Sequence, residues 1–102
     1  MRLRVTIVLT MTLAASSTMA QDGAPDPGRA IAASCANCHG TNGVSVGKMP
    51  SLAGAAKTEL ATKMQEFKSG KRAGTVMPQL AKGFTDQQID QVAAWFATQR
   101  AR

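Results

Sequence analysis

The pentapeptide Cys35-Ala36-Asn37-Cys38-His39 combines two thiols and an imidazole within one short stretch. Two cysteines separated by two residues and followed directly by histidine form the C-x-x-C-H pattern of covalent haem attachment. Each thiol can add to one vinyl group of a haem, and one helical turn then brings the imidazole under the iron. The chain has no other cysteine or histidine. The pattern therefore predicts one covalent haem c, held by Cys35 and Cys38, with His39 as an axial iron ligand.

Three other uses of this pentapeptide stay open. A dithiol redox pair normally follows a strand, and no β-rich run precedes Cys35. A zinc site needs four ligands, and the chain offers at most three good ones. A disulfide would close a tight, strained ring across the two-residue gap. We favour haem attachment because it alone uses the histidine in its position directly after the second cysteine.

The first twenty residues have the pattern of an export signal. Met1–Arg4 is basic, residues 5–15 are uncharged and largely apolar, and Thr18-Met19-Ala20 resembles a small-x-small cleavage site. The apolar run is short for a membrane span, although an uncleaved anchor is the alternative. We expect a signal peptide over residues 1–20, cleaved after about Ala20, and one domain over residues 21–102. Because bacteria attach haem to such motifs outside the cytoplasm, the expected location is the periplasm, without stable membrane insertion.

The charge of the chain indicates a protein partner and not a nucleic acid. The net charge is +6 and falls to +4 when Arg2 and Arg4 leave with the signal. The chain has no tyrosine, and its basic residues do not alternate with aromatic ones. A mildly basic surface favours docking to an acidic patch on a redox protein, although an ordinary solvated surface is equally consistent. The candidate steering residues are Lys48, Lys71, Arg72 and Lys82.

The sequence predicts helices only. Asp26 and Pro27 are typical of a helix N-terminus, and Gly40 is typical of a helix end. Thr85 begins a capping box before the last helix. Trp95 lies within that helix, and we expect it to pack either on the haem or between helices. The predicted helices span residues 27–38, 55–69 and 86–99, and the predicted loops span residues 41–54 and 71–83. A further pattern is the spacing of Glu59 and Lys63, which suits a helical ion pair.

The apolar residues also predict how the chain depends on its cofactor. The last helix presents a stripe expected to be buried, made of Ile89, Val92, Ala93 and Phe96. The whole chain has only three phenylalanines and one tryptophan. A domain of about eighty residues buries a thin core. We therefore expect the haem-free chain to be poorly folded.

A six-coordinate iron would need a second axial ligand, and methionine is the best donor in a chain without a second histidine. Met64 lies on the apolar stripe of the second predicted helix, where methionine most often fills a core. Met49 is close to the loop expected on the histidine side of the haem. Met77 lies in a predicted loop, 38 residues after His39, and Pro78 would stiffen that loop. We predict Met77 as the ligand; the alternatives are Met64, a lysine ligand or an open iron site.

The proximal imidazole also needs a hydrogen-bond partner on its second ring nitrogen, because that bond fixes the orientation of the ring. A backbone carbonyl of the loop after the haem motif is the natural acceptor. We assign this role to the carbonyl of Pro50; the alternative is that Pro50 is an ordinary turn proline.

Taken in order, these motifs resemble the class I cytochromes c. The resemblance covers about residues 27–99 and rests on the haem motif with Gly40, on Pro50-Ser51-Leu52-Ala53-Gly54, on Met77-Pro78 and on the amphipathic last helix. It implies a small all-α fold with the N- and C-terminal helices packed together around one covalent haem. It also implies that the Pro50 carbonyl accepts from His39 and that Met77 is the distal ligand.

A narrower resemblance concerns Glu66–Gly70, Thr75–Met77 and Leu80–Phe84. These stretches are similar to the haem subunit of flavocytochrome c sulfide dehydrogenase and to one half of related di-haem cytochromes. A single haem motif excludes the di-haem form for this chain. The resemblance implies a flavoprotein partner that oxidises sulfide and passes electrons to this haem.

Three functions follow from these patterns. The first is a soluble periplasmic single-electron carrier, and the second is the haem subunit of a flavoprotein sulfide dehydrogenase. In both, this chain transfers electrons and is not itself an enzyme. The third is an open-site haem sensor or peroxidase, which Met77 would block and for which the chain has no distal histidine. A stable flavoprotein complex would favour the second function, and a lone basic monomer would favour the first.

Overall fold

The computed structural model describes residues 23–101, and these residues form helices joined by loops. The α-helices are α1 (Pro27–His39), α2 (Lys57–Ser69), α3 (Met77–Lys82) and α4 (Asp86–Ala97), with a 3-10 turn at Thr41–Gly43. No strand occurs in the described part, which confirms the predicted all-α class. The predicted signal peptide, residues 1–20, lies outside the described residues.

Helix α1 begins at the predicted residue and ends at His39, one residue after the predicted end. The Asp26 side chain accepts a hydrogen bond of 2.8 Å from the backbone N–H of Gly28, and Pro27 is the first helical residue. Gly40 ends the helix at a φ of +83°, a value that residues with a side chain rarely adopt. Thus local chemistry on both sides of the haem motif fixes the helix that carries it.

Helix α2 begins two residues later than predicted. Ala56 is its N-cap residue and provides no side-chain hydrogen bond, so the sequence around residues 55–57 contains no clear start signal. The end is as predicted, because Gly70 adopts the left-handed conformation that closes many helices. The predicted ion pair is also present, with 2.7 Å between Lys63 Nζ and Glu59 Oε1.

The prediction of a continuous loop over residues 71–83 is wrong, because this stretch contains α3. Pro78 lies in the first turn of α3, where a backbone N–H has no acceptor within the helix. The N–H that proline lacks is therefore not missed at this position. Leu80 and Ala81 are strong helix formers, and Gly83 follows the last helical residue. Met77 is therefore the first residue of a short helix and not a loop residue.

Helix α4 has the predicted capping box. The Thr85 hydroxyl accepts a hydrogen bond of 3.1 Å from the Gln88 backbone, and the Gln88 side chain accepts one of 2.9 Å from the Thr85 backbone. The helix ends at Ala97, two residues before the predicted end. The predicted stripe is buried in the structure: Ile89, Val92, Ala93 and Phe96.

The core lies where α4 packs against α1 on one side and α2 on the other, while α3 packs against α2. The central apolar cluster consists of Ala32, Leu60, Val92, Ala93 and Phe96. Helices α1 and α4 meet closely at Gly28, where an added Cβ would overlap the backbone oxygen of Gln91. Trp95 packs against the cluster and lies edge-on to Phe96, with 5.1 Å between ring centroids.

Candidate haem site

The haem motif occupies the last two turns of α1. Cys38 and His39 lie three and four positions after Cys35, so the three side chains lie on one side of the helix. Cys35 is half-buried and Cys38 is exposed, and neither forms a disulfide within the described residues. His39 is buried, with 7% of its surface exposed. One helix end therefore presents two thiols and an imidazole together.

The chemistry of Cys35 disfavours a dithiol redox pair. Burial raises the pKa of the Cys35 thiol, and hydrogen bonding with Ser34 offsets this only in part. Its Sγ lies 3.7 Å from the Ile31 carbonyl oxygen, within the same helix. A catalytic dithiol needs a nucleophilic cysteine with a lowered pKa. The environment of Cys35 shifts the pKa in the opposite direction.

The imidazole of His39 is held by one hydrogen bond. Its Nδ1 donates to the Pro50 carbonyl oxygen at 2.7 Å. Because a carbonyl can only accept, the proton must be on Nδ1, and the lone pair of the neutral ring is then on Nε2. This is the tautomer and the kind of support that a metal-ligating histidine uses.

The loop that carries Pro50 is held in place by Gly43, a residue that sequence analysis did not single out. The Gly43 carbonyl accepts from the backbone N–H groups of Leu52 and Ala53 at 2.8 and 3.1 Å. Gly43 has a φ of +78°, and an added Cβ would lie 2.8 Å from the Phe96 ring. Only a glycine meets both conditions. In the sequence, it is merely one of several loop glycines.

The same loop is also tied to α4. The backbone N–H of Gly54 donates to the Phe96 carbonyl oxygen at 2.9 Å. Phe96 thus contacts the loop at both ends, through its ring at Gly43 and through its carbonyl at Gly54. The position of the Pro50 carbonyl consequently depends on α4 as well as on the loop itself.

The three methionines of the described part lie in different surroundings. Met77 begins α3 and is half-buried, and large apolar residues lie on either side of it: Val76 is 57% exposed and Leu80 is 49% exposed. Met64 is half-buried on α2, and Met49 is 43% exposed and directly precedes Pro50. Met49 therefore belongs to the loop on the histidine side.

The candidate steering residues fall into two groups. Lys48, Lys71 and Lys82 are exposed and form no ion pair within residues 23–101. Arg72, in contrast, pairs with Glu66 at 2.7 Å. Of the four candidates, Arg72 is therefore the one whose charge is engaged within the described part of the molecule.

The donor set fits a covalent haem better than zinc. Across the described ranges, no three His, Cys, Asp or Glu side chains converge as a zinc site would require. Two thiols one helical turn apart and an oriented imidazole are the groups that attach haem c. No helix within residues 23–101 combines the length and the apolar character needed to cross a membrane.

The chain is similar to several known proteins. The chain is 41% identical over 69 residues to the cytochrome subunit of sulfide dehydrogenase from Chlorobaculum tepidum, which covers 68% of this chain and 63% of that protein. It is 37% identical over 100 residues to cytochrome c4 of Pseudomonas aeruginosa, covering 97% of this chain and 49% of that protein. The solved cytochrome c4 of Acidithiobacillus ferrooxidans matches with a TM-score of 0.61 and 36% identity, over 63% of this chain and 37% of its own.

These relatives confirm both predicted resemblances, although the chain spans only about half to two thirds of the two sequence relatives. A family model described as cytochrome c matches residues 25–100, which include the haem motif and all four α-helices. The chain therefore belongs to the cytochrome c family and carries one covalently bound haem c.

Proposed function

We propose that this chain is a periplasmic single-electron carrier in which Cys35 and Cys38 hold the haem and His39 and Met77 are its axial ligands. The observation that carries this proposal is the 2.7 Å hydrogen bond from His39 Nδ1 to the Pro50 carbonyl. When bound, haem supplies a one-electron couple between ferric and ferrous iron. The task left to the protein is to hold both axial ligands at fixed positions.

His39 is suited to that task because its imidazole and the loop that holds it are both fixed by contacts. The imidazole is buried at the end of α1, and its acceptor Pro50 lies in a loop tied to Gly43 and Phe96. A ring held from its second nitrogen keeps the same orientation in both oxidation states. Small rearrangement on electron transfer is the property that a carrier needs.

Met77 is the best second ligand among the three methionines. Met49 precedes Pro50 and so belongs to the side of the haem that His39 occupies. Met64 lies within α2, where its half-buried side chain suits core filling. Met77 begins α3, a separate element held by its packing against α2. A thioether from that element would raise the reduction potential relative to a second imidazole.

Absorption spectroscopy tests the ligands. The protein, expressed with its signal in a haem-attaching periplasm, should show sharp reduced c-type bands and the weak red-edge band of sulfur-to-iron ligation. The Met77→Leu variant should lose the weak band, because leucine keeps the volume but lacks the sulfur. Met49→Leu and Met64→Leu are matched controls and should keep it.

The possible contrary results are distinct. A weak band that survives in Met77→Leu and disappears in one control would assign the ligand to that other methionine. A haem spectrum without the weak band in the unaltered protein would favour the open-site sensor or peroxidase. Protein without haem would return Cys35 and Cys38 to the zinc or disulfide interpretations. Sequencing of the purified protein from its N-terminus should begin at about Gln21, and a start at Met1 would contradict the predicted cleavage.

A second candidate function is the haem subunit of a flavoprotein sulfide dehydrogenase. It is favoured by the 41% identity to a cytochrome subunit of that name. In this case the flavoprotein would oxidise sulfide, and the haem of this chain would accept the electrons. Gel filtration of the native protein separates the candidates: flavin absorbance that elutes with the haem supports the complex, and a haem protein alone of about the size of this chain supports the free carrier.

A further inference from the structure

The connection between α2 and Met77, residues 70–76, folds back on the end of α2. Its Arg72 contacts Glu66 three times: the backbone N–H donates to the Glu66 carbonyl at 3.1 Å, and Nε and Nη2 reach the same carboxylate oxygen at 2.8 and 2.7 Å. A combined backbone and charge-assisted contact of this kind fixes both the chain and the side chain. Arg72 therefore joins the connection firmly to α2.

The ring of Phe67, the next residue of α2, strengthens this join. The Arg72 guanidinium carbon lies 5.8 Å from the centroid of the ring, within the range of a cation–π contact. Further along the connection, an added Cβ on Gly74 would lie 3.2 Å from the ring and 3.1 Å from Pro78 Cδ. Gly74 thus fits between Phe67 and Pro78, the residue directly after Met77.

The far end of the segment that carries Met77 is also tied to α2. Asp86, at the start of α4, accepts hydrogen bonds from Gln65 Nε2 and Lys68 Nζ, both at 3.0 Å. The side chains of this second join are 31% exposed at Lys68 and 78% exposed at Asp86, and those of the first are 42% exposed at Arg72 and 28% exposed at Glu66. Both ion pairs are therefore partly solvated, and the first join is the stronger because it adds a backbone hydrogen bond and a second contact to the same carboxylate oxygen.

We propose that Arg72 is a positioning residue for Met77. Through Glu66 and Phe67, it holds the connection against α2 and thereby keeps the Met77 sulfur on the iron. The proposal rests on Met77 being the axial ligand, as proposed above. It also gives Arg72 a role inside the molecule in place of the docking role suggested by its charge. An external ligand that competes for the iron would first have to displace the segment that Arg72 holds.

Titration of the ferric haem-loaded protein with imidazole tests this. Arg72→Gln and Glu66→Gln should each bind imidazole about threefold to tenfold more tightly, because displacement of Met77 then costs less free energy. The double variant should not exceed the stronger single variant by more than about twofold, since both changes remove the same join. The control is Glu59→Gln, which removes an exposed ion pair of the same helix and should change the affinity by less than about twofold.

A lower unfolding temperature in Arg72→Gln with unchanged imidazole affinity would show a merely structural role and overturn the proposal. Should Arg72→Gln fail to load haem, Glu66→Gln decides alone, and an unchanged affinity in it also overturns the proposal. Failure of the ligand assignment looks different. If Met77 is not the ligand, the Met77→Leu variant keeps the sulfur-to-iron band. If Met77 is the ligand but Arg72 does not position it, Met77→Leu loses the band and Arg72→Gln leaves the imidazole affinity unchanged.

Discussion

The Gly28→Ala substitution tests the packing of α1 against α4. The new Cβ would overlap the Gln91 backbone oxygen and lie 2.8 Å from its carbonyl carbon and 3.0 Å from Trp95 Cβ. The obstructing atoms belong mainly to the backbone of a helix and cannot turn aside, so α1 and α4 must separate. Overpacking of this kind typically costs about 1–3 kcal/mol or more. The higher helix propensity of alanine would offset less than about 1 kcal/mol of this cost near a helix start.

The net expectation is a loss of about 2 kcal/mol in the free energy of unfolding. For a domain of this size, that corresponds to an unfolding midpoint about 8–16 °C lower. The assay is thermal unfolding of the haem-loaded protein, followed by the helical circular dichroism signal. Gly47→Ala is the matched control, because its added Cβ meets nothing within 4 Å and its φ is not in the left-handed region. The control should stay within about 3 °C of the unaltered protein.

A Gly28→Ala midpoint within that same margin would refute the reasoning, since it would mean that the two helices do not touch at Gly28. A large drop in both variants would refute it as well, because the effect would then belong to any added methyl group. Only a drop confined to Gly28→Ala supports the close crossing.

Two further predictions concern the cofactor and pH. The Cys35→Ala/Cys38→Ala double variant should lose covalent haem and show no cooperative unfolding transition, because the remaining core is thin; a cooperative, near-native transition would contradict this. The Lys68 hydrogen bond holds the pKa of Asp86 below its ordinary value. The stabilising contribution of this hydrogen bond is therefore complete above the ordinary aspartate pKa. It disappears as the pH falls through the lowered pKa of Asp86 in the folded protein. The unfolding midpoints of the unaltered protein and Asp86→Asn should differ slightly at pH 7 and converge as the pH falls below the lowered pKa of Asp86. A difference that does not change with pH would show that the Asp86 charge is not involved.

Signals confined to a few neighbouring residues were readable from the sequence. The N-cap Asp26 with Pro27 and the capping box at Thr85 both form as predicted, because each depends only on residues within one turn. The start of α2 was misplaced because its N-cap Ala56 has no side-chain oxygen. Helix α3 was missed because Pro78 is compatible with both a stiff loop and a first helical turn, and six residues are too few to show a period.

Long-range contacts were less accessible. Pro50 was singled out as a hydrogen-bond acceptor, and its carbonyl does lie against His39 Nδ1, but nothing in the sequence reveals what holds the Pro50 loop in place. That depends on Gly43 and Phe96, which are distant in sequence and meet only after α4 has packed. The role of Arg72 was likewise hidden, because a basic residue in a connection gives no sign of the Glu66 carboxylate it will contact. Such pairings follow from the tertiary fold and not from local pattern.

The position of α4 between α1 and α2 has a consequence for partial unfolding of the molecule. It packs against α1, which carries His39, and against α2, to which α3 and Met77 are attached. We therefore expect two cooperative units that meet at α4, one with the attachment motif and the other with the proposed sulfur ligand. Opening between α2 and α4 would release the second unit and leave the haem attached to the first. Under the proposed ligation, a partly unfolded molecule would then present an iron with a free coordination position. An electron carrier would become a binder of small ligands before it lost its fold, and hydrogen exchange should show α2 and α3 opening together at lower free energy than α1.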